Sequence, residues 1–391
     1  MIKAVLSLFK PDTQTIADRQ DYYPYIDGLR GIAILLVLLG HCVICIDGTS
    51  RIFLFPRIKD LILQLCSGGV YLFFMLSAFT LFSSSKRRYA IDKYPRVNFY
   101  VRRFFRIYPL FAIAIIFYSW NSPAALTAGR LVANLFFVPS LAPSLGWLMA
   151  VPVAWSLLCE ETFYFLLPFI YTELKNTTQA FKFFLATCIL SMVWLALAPI
   201  IGLSDAGHFL RYHPITNWYI FAGGILIYFL SGQTSFRALV LQNKMLSAPL
   251  SLFVVFVVLG SIGNTYAICL GLALLFVASI PEGTFFGMIA RNKLLMRFGA
   301  YCYSIYLLHL LVLKAITPAI HHTLAAVGLR WAVAELQLLI IFPLAALACI
   351  CCAFITFNLL EKPSVRCGKL LIPKINSWLD KPSLSRGGII A

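Results

Sequence analysis

Hydrophobic positions along this chain fall in continuous runs close to twenty residues long. They do not show the alternation of a half-buried strand or the one-sided stripe of a soluble helix. Ten such runs are read: 29–47, 67–85, 104–121, 152–172, 180–202, 214–231, 246–263, 265–281, 297–317 and 336–360. Each is long enough to cross a hydrocarbon core of about 30 Å at about 1.5 Å per residue, some only just. Leu131–Leu141 is apolar but too short to span, and reads as a re-entrant or interfacial piece. The pattern therefore predicts an all-α integral membrane protein, a bundle of about ten transmembrane helices with one short re-entrant or interfacial segment. An even number of spans puts both termini on one side. Residues 1–24 are a polar N-terminal segment without the h-region and cleavage site of a secretory signal. Residues 25–368 make the transmembrane domain. Residues 369–391, in which Leu370, Leu371, Ile372, Ile375 and Trp378 lie among basic residues, read as an interfacial tail. No internal repeat emerges.

Composition narrows this further. The 391 residues are 61% hydrophobic and only 12% charged, against about 25% charged in a soluble domain. That excludes a cytosolic enzyme, a disordered chain and a collagen-like fibre, and the continuous runs argue against a membrane β-barrel. The net charge of +17 is then resolved by position. With the N-terminus in the cytoplasm, only seven of the 32 Lys and Arg residues fall outside, among them Arg51, Arg57, Lys59, Arg130 and Arg211. Eight crowd between Lys86 and Arg106, and six follow from Lys362 to Arg386. This is the positive-inside bias, and it predicts cytoplasmic termini. Topology and anionic lipid contact account for most of these charges. Charge spread over several membrane-bounded loops does not favour nucleic acid. Cys42 and Cys45 form a C-x-x-C inside an apolar run, without the further Cys or His that a metal site needs, so no metal is expected and the eleven cysteines read as packing residues.

Ionisable residues inside apolar runs are costly and mark candidate chemistry. Arg30 and His41, both in the first run, are eleven positions apart and so share one helix face, about 16 Å apart along the axis. Glu160 and Glu161 are adjacent in the fourth run. Ser156, Glu160 and Tyr164, at i, i+4 and i+8, share a face, so only one of the two carboxylates enters a common polar site. His309 lies in the ninth run, about 18 Å above its cytoplasmic end if the helix starts at Arg297. His41, Glu160 and His309 thus reach similar depths, which favours a shared cavity in which Glu160 orients His41 as a general acid–base. A proton relay in a coupled transporter or exporter would use the same residues, and a scaffold of envelope synthesis would need none of them. Arg103 and Arg106, three apart on a helix opening at the cytoplasmic face, have the planar donor geometry that suits phosphate, although lipid headgroups would also satisfy them.

These residues carry a resemblance. Arg30 with His41 after Tyr25-Ile26-Asp27-Gly28-Leu29, the stretch Gly69 to Phe79, Arg103-Phe104-Phe105-Arg106, Trp155-Ser156-Leu157 with Glu160, Phe163 and Tyr164, Tyr303 to His309, and Glu361-Lys362-Pro363 occur in the order of motifs of the membrane acyltransferase-3 family. From Tyr25 to about Lys369 the chain resembles that family, which modifies bacterial surface polysaccharides. Tyr71 stands where the family often has an acidic residue, and Ala78 where it often has Gly. The resemblance implies a multi-pass protein of the bacterial inner membrane that transfers an acyl group, commonly acetyl, from cytoplasmic acyl-CoA to a sugar hydroxyl. The acceptor would be a lipid-linked or polymeric glycan on the periplasmic side, such as lipopolysaccharide O-antigen or exopolysaccharide. Acetyl-CoA is then a co-substrate, with no tightly bound cofactor expected. Arg30, Arg103 and Arg106 would hold its phosphates. His41 and Glu160 would be catalytic, and His309, Ser156, Tyr71 and Tyr164 would contact substrate. The outer loops Leu203–Pro214 and Ala319–Glu335 are the expected seats of acceptor selectivity.

Overall fold

The computed structural model describes residues 23–47, 53–120, 126–203, 207–238, 253–254, 264–326 and 334–380, and within them the chain is helical with no strand. The helices are α1 (Pro24–Asp47), α2 (Pro56–Ile91), α3 (Pro95–Trp120), α4 (Ala128–Leu135), α5 (Ala154–Glu173), α6 (Thr177–Leu197), α7 (Gly207–Tyr212), α8 (Pro214–Gly232), α9 (Thr265–Ser279), α10 (Phe285–Ala290), α11 (Lys293–Ala300), α12 (Cys302–Ala326), α13 (Ala334–Thr356) and α14 (Lys362–Leu379). Six stretches of these helices are long and apolar enough to cross a membrane: those of α1, α2, α6 and α12, Phe209–Gly232 around α8, and Ala334–Leu379 from α13 through α14. The expected seventh span, 246–263, lies almost wholly outside the described residues, as do residues 1–22 and 381–391.

Helix α1 is the centre of the bundle and packs against α2, α10, α11, α12 and α13. Small residues let it do so. A Cβ on Gly28 would lie 1.6 Å from the carbonyl oxygen of Ala290, and one on Gly299 1.7 Å from that of Asp27. These are backbone contacts that no rotamer change relieves. Helix α6 is the opposite case. It packs mainly on α8 and leaves Phe181, Leu185, Ile189, Met192 and Leu197 exposed, which fits a surface facing acyl chains, where burying apolar side chains against protein yields no hydrophobic gain.

Two elements differ from the sequence expectation. The ninth run does not form one helix from Arg297: α11 ends at Ala300, Tyr301 leaves helical geometry, and α12 begins at Cys302. His309 is therefore only about 10 Å, seven residues, into its helix. The short apolar stretch 131–141 is not a single piece either. It holds the end of α4 (Ala128–Leu135), Phe137 in the left-handed region (φ 56°) and a 3-10 turn at Val138–Ser140, and a second 3-10 turn, Pro143–Leu148, follows it. Buried Arg130 holds this segment together by donating to the carbonyls of Leu148 (3.2 Å) and Met149 (3.4 Å). Asn134 adds bonds to Leu148 O and Ala150 N. At the chain's C-terminal end a π-turn, Phe357–Glu361, leads from α13 into α14. Helix α14 is continuous across residues 368 and 369, with Gly368 packed on Phe105.

Candidate functional site

Two cavities enter the bundle from opposite ends. The lower one, at the end where α1 begins, has a volume of about 450 Å³ and is lined by Arg30, Arg103, Arg106, Ser156, Glu160 and Tyr164, with Arg87, Arg88 and Lys369 also on its wall. The upper one, about 990 Å³, is lined by His41, Cys66, Tyr71, Trp155, Arg211 and Tyr212, and by Pro139, Ser140, Ala142, Met149, Pro152 and Val153 of the segment that follows α4. Both are lined by Val70 and Tyr306, so the two meet at these side chains.

The lower cavity is a cationic pocket with a matched set of acceptors. Arg30 donates to Asp27 (3.4 Å) and to Thr80 Oγ1 (3.2 Å). Arg103 lies over the rings of Phe99 and Tyr164, 5.8 and 5.5 Å from their centroids. Its Nε is buried with no hydrogen-bond partner, an expensive state for a guanidinium donor. Arg106 faces the cavity, in the field of Glu361, whose carboxylate is held by Ser304. The third arginine of the run, Arg102, pairs with Asp92 instead.

Glu160 also belongs to this lower cavity. Its carboxylate accepts from Ser77 Oγ (3.1 Å) and from Tyr164 OH (2.9 Å), bonds worth about 1.5–3 kcal/mol each to a charged acceptor. The expected contact with His41 is not formed. Met149, Pro152 and Val153, which precede α5, already line the upper cavity beside His41. Helix α5 therefore starts at His41's level, and Glu160 hangs well over a turn below. The separation of the two adjacent carboxylates follows the helical geometry: Glu161 points away from the cavity and is hydrogen-bonded with Tyr108.

His41 and His309 do come together, with ring centroids 4.7 Å apart. His41 Nδ1 is 2.8 Å from the carbonyl of Val37, a turn below, and 3.3 Å from His309 Nε2. His309 Nδ1 is 2.7 Å from the carbonyl of Tyr306. A carbonyl only accepts, so both Nδ1 atoms carry the proton. His41 Nε2 is then a bare lone pair on the wall of the upper cavity, with no partner among the described residues. Cys66 Sγ lies 3.7 Å from His41 Nδ1, and Gly40 makes room for it: a Cβ there would be 2.2 Å from Cys66 Cβ.

Of the four side chains expected at the substrate, three line the cavities. Buried Tyr71 lines the upper one, where it is hydrogen-bonded with Arg211, which also donates to Ser67 Oγ (3.3 Å); His309 is fully buried behind His41 and lines neither cavity. Trp155 and Tyr212 stack in the upper cavity, centroids 4.1 Å apart. Tyr164 is in the lower cavity under Glu160. Ser156 sits at the junction, 2.6 Å from Tyr306 OH. Sequence reasoning did not single out Thr80 or Cys66, because hydroxyls and thiols in apolar runs look like packing, and Ser77, Tyr306 and Glu361 it noted only within motifs. Among the described residues no group of His, Cys, Asp and Glu could hold a metal.

The fold and site thus define an all-helical membrane protein built round a cationic cavity and a histidine-bearing cavity, end to end. The chain belongs to the acyltransferase 3 family: the family's Acyltransferase domain model matches residues 23–358, nearly the whole chain. That membership supports membrane acyl transfer as the class of activity. No curated protein and no solved structure matches the chain significantly.

Proposed function

We propose that this protein takes an acyl group, acetyl first, from acyl-CoA bound in the lower cavity at the cytoplasmic face of a bacterial inner membrane. It passes the group to a sugar hydroxyl in the upper cavity, on the periplasmic side, and the acceptor is a lipid-linked or polymeric surface glycan such as O-antigen or exopolysaccharide. The observation that carries this reading is the pair of cavities with opposite chemistry meeting at Val70 and Tyr306. The lower pocket suits a polyanion. Arg30, Arg103 and Arg106 line the same cavity, and guanidinium forks grouped on one wall suit the phosphates of a polyanion. The pantetheine arm then runs upward past Tyr306 and brings the thioester to His41. His41 Nε2 takes the proton of the sugar hydroxyl as that oxygen attacks the thioester carbon. The C–S bond breaks, and the proton passes to the departing thiolate. Glu160, with Ser77 and Tyr164, positions Arg103 rather than His41. Tyr71, Arg211 and the Trp155–Tyr212 stack are the acceptor's contacts.

The test is the purified protein with labelled acetyl-CoA and envelope glycan, read by mass spectrometry for the gain of one acetyl group. A transporter would consume no acyl-CoA. His41→Ala, checked to be present in the membrane, is expected to abolish transfer, and O-acetylation retained in that variant would remove His41 from its role.

A further inference from the structure

A base that accepts a proton deep in a membrane bundle becomes a cation, and something must bear that charge. A carboxylate beside the imidazole is the usual device. Here Glu160 is in the other cavity, held by Ser77 and Tyr164. The groups on His41 are the Val37 carbonyl, Cys66 Sγ and His309 Nε2. Of these three, only His309 Nε2 is a nitrogen base.

Its availability is set by α12. His309 is fully buried, and its Nδ1–H is committed to the Tyr306 carbonyl one turn below. That leaves Nε2 as an acceptor, 3.3 Å from the Nδ1–H of His41. The two rings meet edge to face, with an interplanar angle of 69°. The one Nδ1 proton of His41 is shared between the Val37 carbonyl at 2.8 Å and His309 Nε2 at 3.3 Å, and each outer nitrogen has a defined state: His41 Nε2 is bare towards the cavity, and His309 Nδ1 is protonated towards backbone. We propose that His309 is a positioning residue that acts through His41 and takes up the positive charge formed on it. When His41 Nε2 receives the acceptor's hydroxyl proton, its Nδ1 proton shifts towards His309 Nε2. When Nε2 delivers its proton to the CoA sulfur, the Nδ1 proton returns. One proton enters and one leaves, so no other reactant is needed. A pair of imidazoles does the work of an imidazole and a carboxylate without holding a permanent negative charge in the bundle, which is the costlier arrangement in a low-dielectric site.

This inference rests on the proposed transfer reaction, but its structural half is tested apart from it. In protein labelled with ¹⁵N-histidine, a through-hydrogen-bond nitrogen–nitrogen coupling is expected between His41 Nδ1 and His309 Nε2. It should vanish in His309→Leu, which keeps the volume, and in His41→Ala. In turnover, His309→Leu is expected to lower kcat by about 100-fold or more, the scale of a lost acid–base partner, with KM for acyl-CoA and for acceptor unchanged. His309→Gln, whose side-chain oxygen can sit where Nε2 does and accept the same bond, is expected to recover part of that loss. An absent coupling in the wild-type protein would overturn the proposal, as would wild-type kcat in a folded His309→Leu variant or equal kcat in His309→Gln and His309→Leu. A coupling present in a protein that transfers no acyl group would instead refute the reaction and leave the pair standing.

Discussion

Tyr306 is where the two cavities meet, and truncating it should turn a transferase into a leak. The ring is almost fully buried. Its hydroxyl is 2.6 Å from Ser156 Oγ and 3.4 Å from the Val153 carbonyl, and the ring contacts Phe73 and His309. Tyr306→Phe removes only the hydroxyl. Ser156 Oγ keeps its 3.0 Å bond to the Val153 carbonyl, so no donor is orphaned and the cost should be about 1 kcal/mol. Tyr306→Ala removes the ring at a cost of about 3–5 kcal/mol and joins the 450 and 990 Å³ cavities. Water from the upper side then enters the lower chamber and reaches the donor thioester before it has moved up past position 306 to His41. The assay is release of CoA thiol from acetyl-CoA without any acceptor. Tyr306→Ala is expected to raise this hydrolysis on the order of 10-fold or more, since exclusion of water is what protects a reactive acyl group, while Tyr306→Phe should match wild type. A monodisperse Tyr306→Ala protein that hydrolyses no faster than Tyr306→Phe would refute the idea that this ring separates the two chambers.

Other perturbations probe the remaining parts. Replacing Arg103 and Arg106 together by Ala should raise KM for acyl-CoA about 100-fold, two charge-assisted contacts at about 1.4 kcal/mol per factor of ten, and leave KM for the acceptor alone. An unchanged acyl-CoA dependence would assign these arginines to lipid. Gly40→Ala forces a methyl to within 2.2 Å of Cys66 Cβ, an overpacking of about 1–3 kcal/mol. It should lower both thermal stability and kcat, and Cys66→Gly in the same chain should recover both. At the foot of the bundle, the Lys93 ammonium and the Tyr94 hydroxyl hold Asp380 below the ordinary carboxylate range. A lowered carboxylate supports structure above its unfolded value and loses that support as pH falls through the folded one. The fluorescence of Trp378, two residues away, should therefore hold steady from neutral pH down through the ordinary carboxylate range and change only below it. A transition centred within that range would contradict the pairing.

Much of the site was legible because the membrane makes ionisable residues conspicuous. Arg30, His41, Glu160 and His309 stood out as charges in apolar runs, and the separation of Glu160 from Glu161 followed from 100° per residue. The partner of Glu160 was not legible, because depth along a helix says nothing of where that helix starts. Met149, Pro152 and Val153 line the upper cavity and start α5 well inside the bundle, a tertiary fact that no local pattern carries. The break at Tyr301 was equally hidden, since Phe298-Gly299-Ala300-Tyr301 contains no proline and the apolar run passes through it unbroken. Tyr306 looked like one more aromatic in a hydrophobic helix, and its place between two cavities depends on α2, α5 and α12 converging.

The central claim is that donor and acceptor are taken from opposite faces through one protein. Sealed vesicles of the two orientations, each containing this protein and its glycan, test it with membrane-impermeant labelled acetyl-CoA added outside. Inside-out vesicles, which expose the arginine-lined cavity, are predicted to transfer label to glycan in their lumen, and right-side-out vesicles to transfer none. Equal transfer in right-side-out vesicles, with donor and glycan on the histidine side together, would contradict the account.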